Sequence, residues 1–342
     1  MNLKDKQLKA DIGRRADQAF DQEMDEINRQ MEQQVLIALV GDVNAGKSST
    51  INRIIGDEVA GVGAEPGETT QIREYPYRDK IILIDTPGLN DVNTANSERT
   101  REYYRKTDVV LFFLNAAGTV FSEAEKKSLE ALEKINSDIL IVLNKIDAAE
   151  EIDRLVRRIR QETGDRYEVI PVSSRTGENI EKLRYAILDL LKKKSKDIVF
   201  ARTIKEKSSV ANKWIIGAAT SAGAIGAAPL PGADIIPLTA IQIGLLTRLA
   251  TLYERPLSRE AAKEIVIASI VGNLGRTLFA QVVKLFPGAG TVAAAGIAGS
   301  VTLALGYSVK YAYERGIDVT PESISKLYRK FRTKTDKGKL PE

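Results

Sequence analysis

From residue 35 to about residue 194, short apolar runs alternate with longer stretches whose apolar residues recur at helical spacing. The runs are Val35–Val40, Ile72–Tyr77, Ile81–Ile84, Val109–Leu114, Ile139–Leu143 and Val169–Val172, and their length predicts strands. Amphipathic stretches such as Glu123–Ile135 and Glu150–Glu162 separate most of them and predict helices. The alternation predicts an α/β fold with a mostly parallel sheet of six strands. Such sheets bind ligands beyond the carboxyl ends of their strands, so the residues that follow each run are the ones to inspect.

Outside this region the pattern changes. Residues 1–34 predict one long helix, with Leu3, Leu8, Ile12, Ala16, Phe20, Met24, Ile27 and Met31 forming an apolar stripe among charged and amide residues. Because its polar face is mixed in sign, that stripe is expected to pack on the rest of the protein rather than on a membrane. Leu191–Lys207 is basic, with Lys192, Lys193, Lys194, Lys196, Arg202, Lys205 and Lys207, and reads as a solvated helix face or as a lipid-attracted flank. Beyond it, Trp214–Ala233, Ile235–Thr247 and the 25 residues Leu285–Val309 carry no charge. A helix of that last length spans roughly 37 Å, enough for a bilayer core. Its composition argues the other way, since Gly288–Gly306 holds 5 Gly and 6 Ala against 5 strongly apolar residues. Residues packed that densely with small side chains also suit close helix approach. Pro229, Pro231 and Pro237 break the first apolar stretch, Ser258 suits a helix cap, and Thr320-Pro321 suits a helix start before the basic Lys326–Lys339 tail. The expected partition is an N-terminal helix at 1–34, an α/β domain at 35–194, and a Gly/Ala-rich, all-α domain at 195–342 that the N-terminal helix joins.

At 342 residues and 37.5 kDa the chain has room for two domains. It contains no Cys and no His, which excludes disulfides, zinc sites and Cys- or His-based nucleophilic chemistry. Any metal must sit among oxygen ligands, which points to Mg²⁺. The first residues are charged and lack the apolar core of a secretory signal, so a cytoplasmic location is expected.

The strand-end residues then carry specific chemistry. Val35–Val40 runs into Gly41-Asp42-Val43-Asn44-Ala45-Gly46-Lys47-Ser48, a G-x-x-x-x-G-K-S loop followed by the helix-permissive Ser49–Ile55. Such a loop turns its backbone N–H groups and one Lys toward a triphosphate, with the Ser48 hydroxyl a candidate Mg²⁺ ligand. Asp85-Thr86-Pro87-Gly88 follows the third run, where Asp85 is placed to hold Mg²⁺ and the Gly88 amide to sense a γ phosphate. Asn144-Lys145-Ile146-Asp147 follows the fifth, and a carboxylate there pairs with the adjacent N–H donors of guanine. Ser173-Ser174-Arg175 follows the sixth, with the Ser174 N–H expected to meet the base carbonyl oxygen.

Together these segments resemble the G1, G3, G4 and G5 motifs of translation-factor-type GTPases of the Era-like group, over roughly residues 35–194. The resemblance implies GTP/GDP binding through Gly41, Asn44, Ala45, Gly46, Lys47, Ser48, Ser49, Asn144, Lys145, Asp147, Ser173, Ser174 and Arg175. It implies Mg²⁺ on Ser48, Asp85 and a switch threonine that maps onto Thr69 or Thr70 in Gly67-Glu68-Thr69-Thr70, with Thr70 favoured by its place in the Pro-Gly-x-Thr run. Hydrolysis of GTP to GDP and phosphate would draw on Lys47, Thr70, Gly88 and Asn44. Two positions matter for rate. Leu89 stands where Ras-like relatives carry a water-orienting Gln, so turnover is expected to be slow without stimulation. Asn44 resembles the Asn of GTPases that use K⁺, although Asn also tolerates a tight turn and both readings stay open.

The Gly/Ala-rich half is similar to the YcjF-type domain of unknown function, on its small-residue helices and Pro229–Asp234. The layout as a whole resembles immunity-related and dynamin-like GTPases. That likeness implies work at the cytoplasmic face of a membrane on anionic lipid, and a nucleotide-dependent homodimer or oligomer. Two alternatives accompany it: a ribosome-assembly or RNA-linked Era-like GTPase, and a slowly hydrolysing GTP-dependent scaffold. A nucleic-acid partner is not expected from the second half, which is apolar rather than basic and aromatic.

Overall fold

A computed structural model describes residues 3–56, 73–78, 80–85, 98–226, 235–271 and 296–327. The chain divides into two compact units, residues 30–206 and residues 1–29 with 207–342. It opens with α1 (Leu3–Met31), most of which belongs to the second of these.

The 30–206 unit contains β1 (Val35–Gly41), α2 (Lys47–Ile55), β2 (Arg73–Tyr77), β3 (Ile81–Asp85), α3 (Glu98–Lys106), β4 (Val109–Asn115), α4 (Glu123–Glu133) and β5 (Ile139–Asn144). It continues through α5 (Ile152–Thr163), β6 (Glu168–Pro171), α6 (Ile180–Lys193) and α7 (Asp197–Thr203). The six strands form one sheet in the order β2-β3-β1-β4-β5-β6, parallel except for β2. The predicted α/β fold with a mostly parallel sheet is therefore present. Every β5 residue and all of β4 but Asn115 are buried, because helices cover both faces of a parallel sheet and leave its central strands no polar side. Full burial of a side chain such as Phe112 stabilises the fold by about 1.5–3 kcal/mol. Pro76, which has no ladder N–H to give, lies in β2 at the sheet edge, where proline is tolerated.

Helix boundaries follow local chemistry. Ser122 and Glu125 start α4 as a capping box: the Ser122 hydroxyl accepts from the Glu125 N–H at 3.3 Å, and the Glu125 carboxylate accepts from the Ser122 N–H at 2.6 Å. The basic run that ends this unit is partly internal. Lys194 pairs with Asp138 at 2.8 Å, and Lys196 with Asp108 at 2.8 Å. Asp108 is buried and also accepts the Leu36 N–H at 2.9 Å, so Lys196 answers a charge the fold has already taken out of water. Of the triplet at 192–194, only Lys192 and Lys193 are exposed, which narrows the solvated face expected from the sequence.

The other unit is helical: α1, α8 (Lys207–Gly226), α9 (Ile235–Tyr253), α10 (Arg259–Val271) and α11 (Gly296–Glu314), followed by a helical turn at 321–327. On α1 the stripe residues Ile12, Ala16 and Ile27 are buried, while Glu23 pairs with Arg248 at 2.8 Å and Asp17 with Lys263 at 3.0 Å. Ser258 caps α10 by accepting the Ala261 N–H at 3.1 Å, and Thr320 caps the 321–327 turn through Ser323.

α11 is buried around almost its whole circumference against α8 and α9. A Cβ on Gly306 would lie 2.8 Å from Ile215 Cγ1 and 3.1 Å from Leu245 Cδ2, so glycine is what lets these helices approach. Several buried polar groups here are paired: Gln242 donates to the Thr302 hydroxyl at 3.2 Å and accepts from Ser269, while Lys310 donates to Asn212 at 2.8 Å. The described part of the uncharged 285–309 run is thus core of the helical unit. Among the described residues one helix, α9, is long and apolar enough to cross a membrane, with mean hydropathy 1.6 and 56% of that window buried.

Candidate functional site

The carboxyl edge of the sheet gathers the motif residues of the 30–206 unit. Gly41 ends β1 with φ +149°, and a Cβ there would meet the Phe113 carbonyl oxygen at 2.6 Å, so the loop leaves the sheet through a gap only glycine fits. Asn44 takes φ +67°, a left-handed conformation Asn tolerates, which accounts for its presence in the turn and leaves its K⁺ role a separate matter. Val43 at the loop tip is exposed, and Ala45 is buried. Gly46, at φ +85°, precedes α2 as its N-cap without a side-chain hydrogen bond, and the first turn of α2 carries no acidic residue. No side-chain cap and no carboxylate of its own therefore compete for the positive dipole end of the helix, which suits an anion. Lys47 arches over the loop, donating to the carbonyls of Gly41 at 2.9 Å and Asp42 at 3.2 Å. Ser48 and Ser49 follow on the first turn, half-buried and exposed respectively.

The base-side residues form a second cluster. Asn144 is fully buried: its Nδ2 donates to the Ala45 carbonyl at 2.8 Å and to the Ser174 hydroxyl at 3.3 Å, and its Oδ1 accepts the Ser174 N–H at 3.1 Å. It thereby ties the phosphate loop to the 173–175 turn. The Ser174 amide, expected to meet a base carbonyl oxygen, donates here to Asn144, whose buried amide oxygen needs a donor. Lys145 adopts φ +64° and starts the short 3₁₀ turn Ile146–Ala148. Asp147 receives the Ser173 hydroxyl on Oδ1 and the Arg175 guanidinium on Oδ2 at 2.7 Å. The Ser173 hydrogen bond above all, with help from Arg175, holds the Asp147 carboxyl below its ordinary value near 3.8, so it is ionised at neutral pH.

Asp85 ends β3, paired in register with Leu39 of β1, which brings its backbone to the edge where the phosphate loop begins. Thr70 and Gly88 lie outside the described residues. Ser48 and Asp85 supply the oxygen donors that Mg²⁺ prefers, so the chemistry of the residues fits that ion.

Two arginines that the motifs did not reveal complete the frame. Arg53 of α2 donates to the carbonyls of Ser174 at 3.1 Å and Arg175 at 2.8 Å. Arg184 is buried and caps the other end of α2 through the Ile54 carbonyl at 3.0 Å, while pairing with Glu206 at 3.2 Å. Its readable signal is a charge inside the apolar stripe Ile180, Leu183, Ile187 and Leu191 of α6.

Residues 36–145 match the family model described as 50S ribosome-binding GTPase. The 30–206 unit has the P-loop GTPase fold. Residues 192–336 match the domain of unknown function DUF697. Against GTPase Era of Corynebacterium glutamicum the chain is 34% identical over 166 residues, covering 45% of this chain and 54% of that protein. Against the tRNA modification GTPase MnmE of Thermotoga petrophila it is 33% identical over 159 residues, 44% of this chain and 34% of that one. The chain thus spans about half the length of the Era relatives and a third of MnmE. Aquifex aeolicus Era bound to GDP.AlF4⁻ aligns with 46% of this chain and 57% of its own, at 25% identity and a TM-score of 0.37.

Proposed function

We propose that the chain binds GTP and hydrolyses it to GDP and phosphate, and that the helical unit passes the nucleotide state to a partner. The observation that carries this is the loop 41–48 opening α2 at an N-terminus with no side-chain cap and no acidic residue in its first turn, tied through Asn144 to the turn that bonds the Asp147 carboxylate. The phosphates lie on the loop amides and Lys47, which stabilise charge as it moves to the leaving oxygen. Asp147 accepts the paired N–H donors of guanine. Ser48, Asp85 and Thr70 hold Mg²⁺, which supplies further positive charge at the β and γ phosphates. Thr70 and Gly88 act as the γ-phosphate sensors, and Leu89 keeps the unstimulated rate slow. K⁺ near Asn44 is the proposed stimulating charge, so replacing it with Na⁺ lowers turnover.

Lys47→Ala tests the assignment. The variant should lose GTP turnover by about a hundredfold or more in a phosphate-release assay, the scale of one removed charge-stabilising donor. Turnover at the parent rate would refute the site.

For the partner, an RNA- or ribosome-linked role is the better supported reading, because the matched family and the MnmE relative carry those terms in their names. A membrane-surface role of dynamin-like type, with anionic lipid, a YcjF-like helical unit and nucleotide-dependent self-association, is the second reading. Among the described residues α9 is the helix that suits it, and the pairing of Lys194 and Lys196 weakens the basic flank it also relies on. Sedimentation of the GTP-loaded protein with ribosomal subunits and, separately, with anionic liposomes separates the two. Association with subunits alone supports the RNA-linked role, and with liposomes alone the membrane role.

A further inference from the structure

We propose that Arg53 is a positioning residue for base recognition, which fixes the 173–175 turn at the end of α2 and through it orients Asp147. The inference rests on the guanine reading of Asp147 and extends it to a residue outside every motif. Its guanidinium holds two successive backbone carbonyls, Ser174 at 3.1 Å and Arg175 at 2.8 Å. Planar guanidinium groups are suited to such paired acceptors. The same turn supplies both groups on Asp147, the Ser173 hydroxyl and the Arg175 guanidinium. A continuous path therefore runs from α2 to the Arg175 backbone, along its side chain, and onto the carboxylate.

The helix that carries Arg53 begins at the phosphate loop. Lys47 is its first residue and Arg53 lies in its last turn, six residues on, or about 9 Å along the axis. One rigid element thus sets the separation between the phosphate end and the base end of the site. Asn144 ties the same two loops from the buried side, so the turn is gripped from within by Asn144 and from the surface by Arg53. The turn has internal bonds of its own, from the Thr176 N–H to Ser173 Oγ at 3.0 Å and from the Gly177 N–H to the Ser173 carbonyl at 2.8 Å. Loss of Arg53 should leave it folded and displaced.

The test compares GDP with inosine diphosphate, which lacks the exocyclic amine that Asp147 would bind, in titrations of the full chain. The parent protein should prefer GDP. Arg53→Ala should narrow that preference by about tenfold, the scale of lost hydrogen bonds from a charged donor, with inosine diphosphate, which keeps the ring N–H, weakened less than GDP. Arg53→Lys, able to reach one carbonyl, should recover part of it. If Arg53→Ala does not fold, an intermediate preference in Arg53→Lys carries the test. A parent-like preference in the variants, or equal weakening of both nucleotides, overturns the proposal while leaving the guanine reading in place. A parent protein that does not distinguish the two nucleotides overturns both.

Discussion

Replacing Gly46 with alanine should weaken GDP binding by about a hundredfold or more. The position has φ +85°, which costs a residue with a Cβ roughly 1–2 kcal/mol. The larger effect is steric, since that Cβ would lie 2.1 Å from Asn144 Nδ2. Asn144 is fully buried and cannot swing into solvent. Either it gives up the Ala45 carbonyl and the Ser174 turn, or the loop moves off α2, and both outcomes dismantle the phosphate cradle. Calorimetric titration with GDP reads the loss directly. Affinity within threefold of the parent would show that the loop geometry does not govern binding.

Asn144→Ala should act on the same site from the other side. It strands the buried Ala45 carbonyl, at about 1–3 kcal/mol, and the part-buried Ser174 N–H, at less. The expected result is a lower thermal midpoint together with weaker binding of GDP and of inosine diphosphate alike, because phosphate loop and base turn come apart together. That pattern separates it from Arg53→Ala, which should change the ratio of the two. A variant with the parent's midpoint and GDP affinity would rule out Asn144 as the tie between the loops.

Much of the fold and of the site is legible in the amino-acid sequence. The strands were legible because most are short apolar runs, and alternation with helices points to a mostly parallel sheet, while the order β2-β3-β1-β4-β5-β6 is set by pairings that leave no mark in the pattern. The phosphate loop was legible because its glycines occupy places a Cβ cannot, at Gly41 and Gly46. The internal direction of Asn144 was not, since a motif names residue types without saying which face of a loop they serve. Arg53 and Arg184 escaped for a related reason. Their partners are backbone carbonyls, 121 to 130 positions away in sequence, and a carbonyl leaves no mark in the amino-acid pattern. Lys194 and Lys196 looked like part of one surface run because their partners, Asp138 and Asp108, lie 56 and 88 positions upstream. The uncharged run around α11 suited a bilayer by length, while Gly306 and the paired Thr302 mark it as a helix built for close approach to other helices.

The connector at 204–206 bears on how the chain can be taken apart. The Lys205 N–H donates to the Ile55 carbonyl at 3.0 Å, and Glu206 meets Arg184, so these residues belong to the end of α2. A fragment ending at residue 194 would strip away α7, bare the surface beneath Phe200, and leave Asp108 without Lys196. One ending at residue 206 keeps all of these. The shortest autonomous piece of the nucleotide-binding half therefore finishes at the last residue before α8, some twelve positions beyond the point where the sheet and its covering helices are complete.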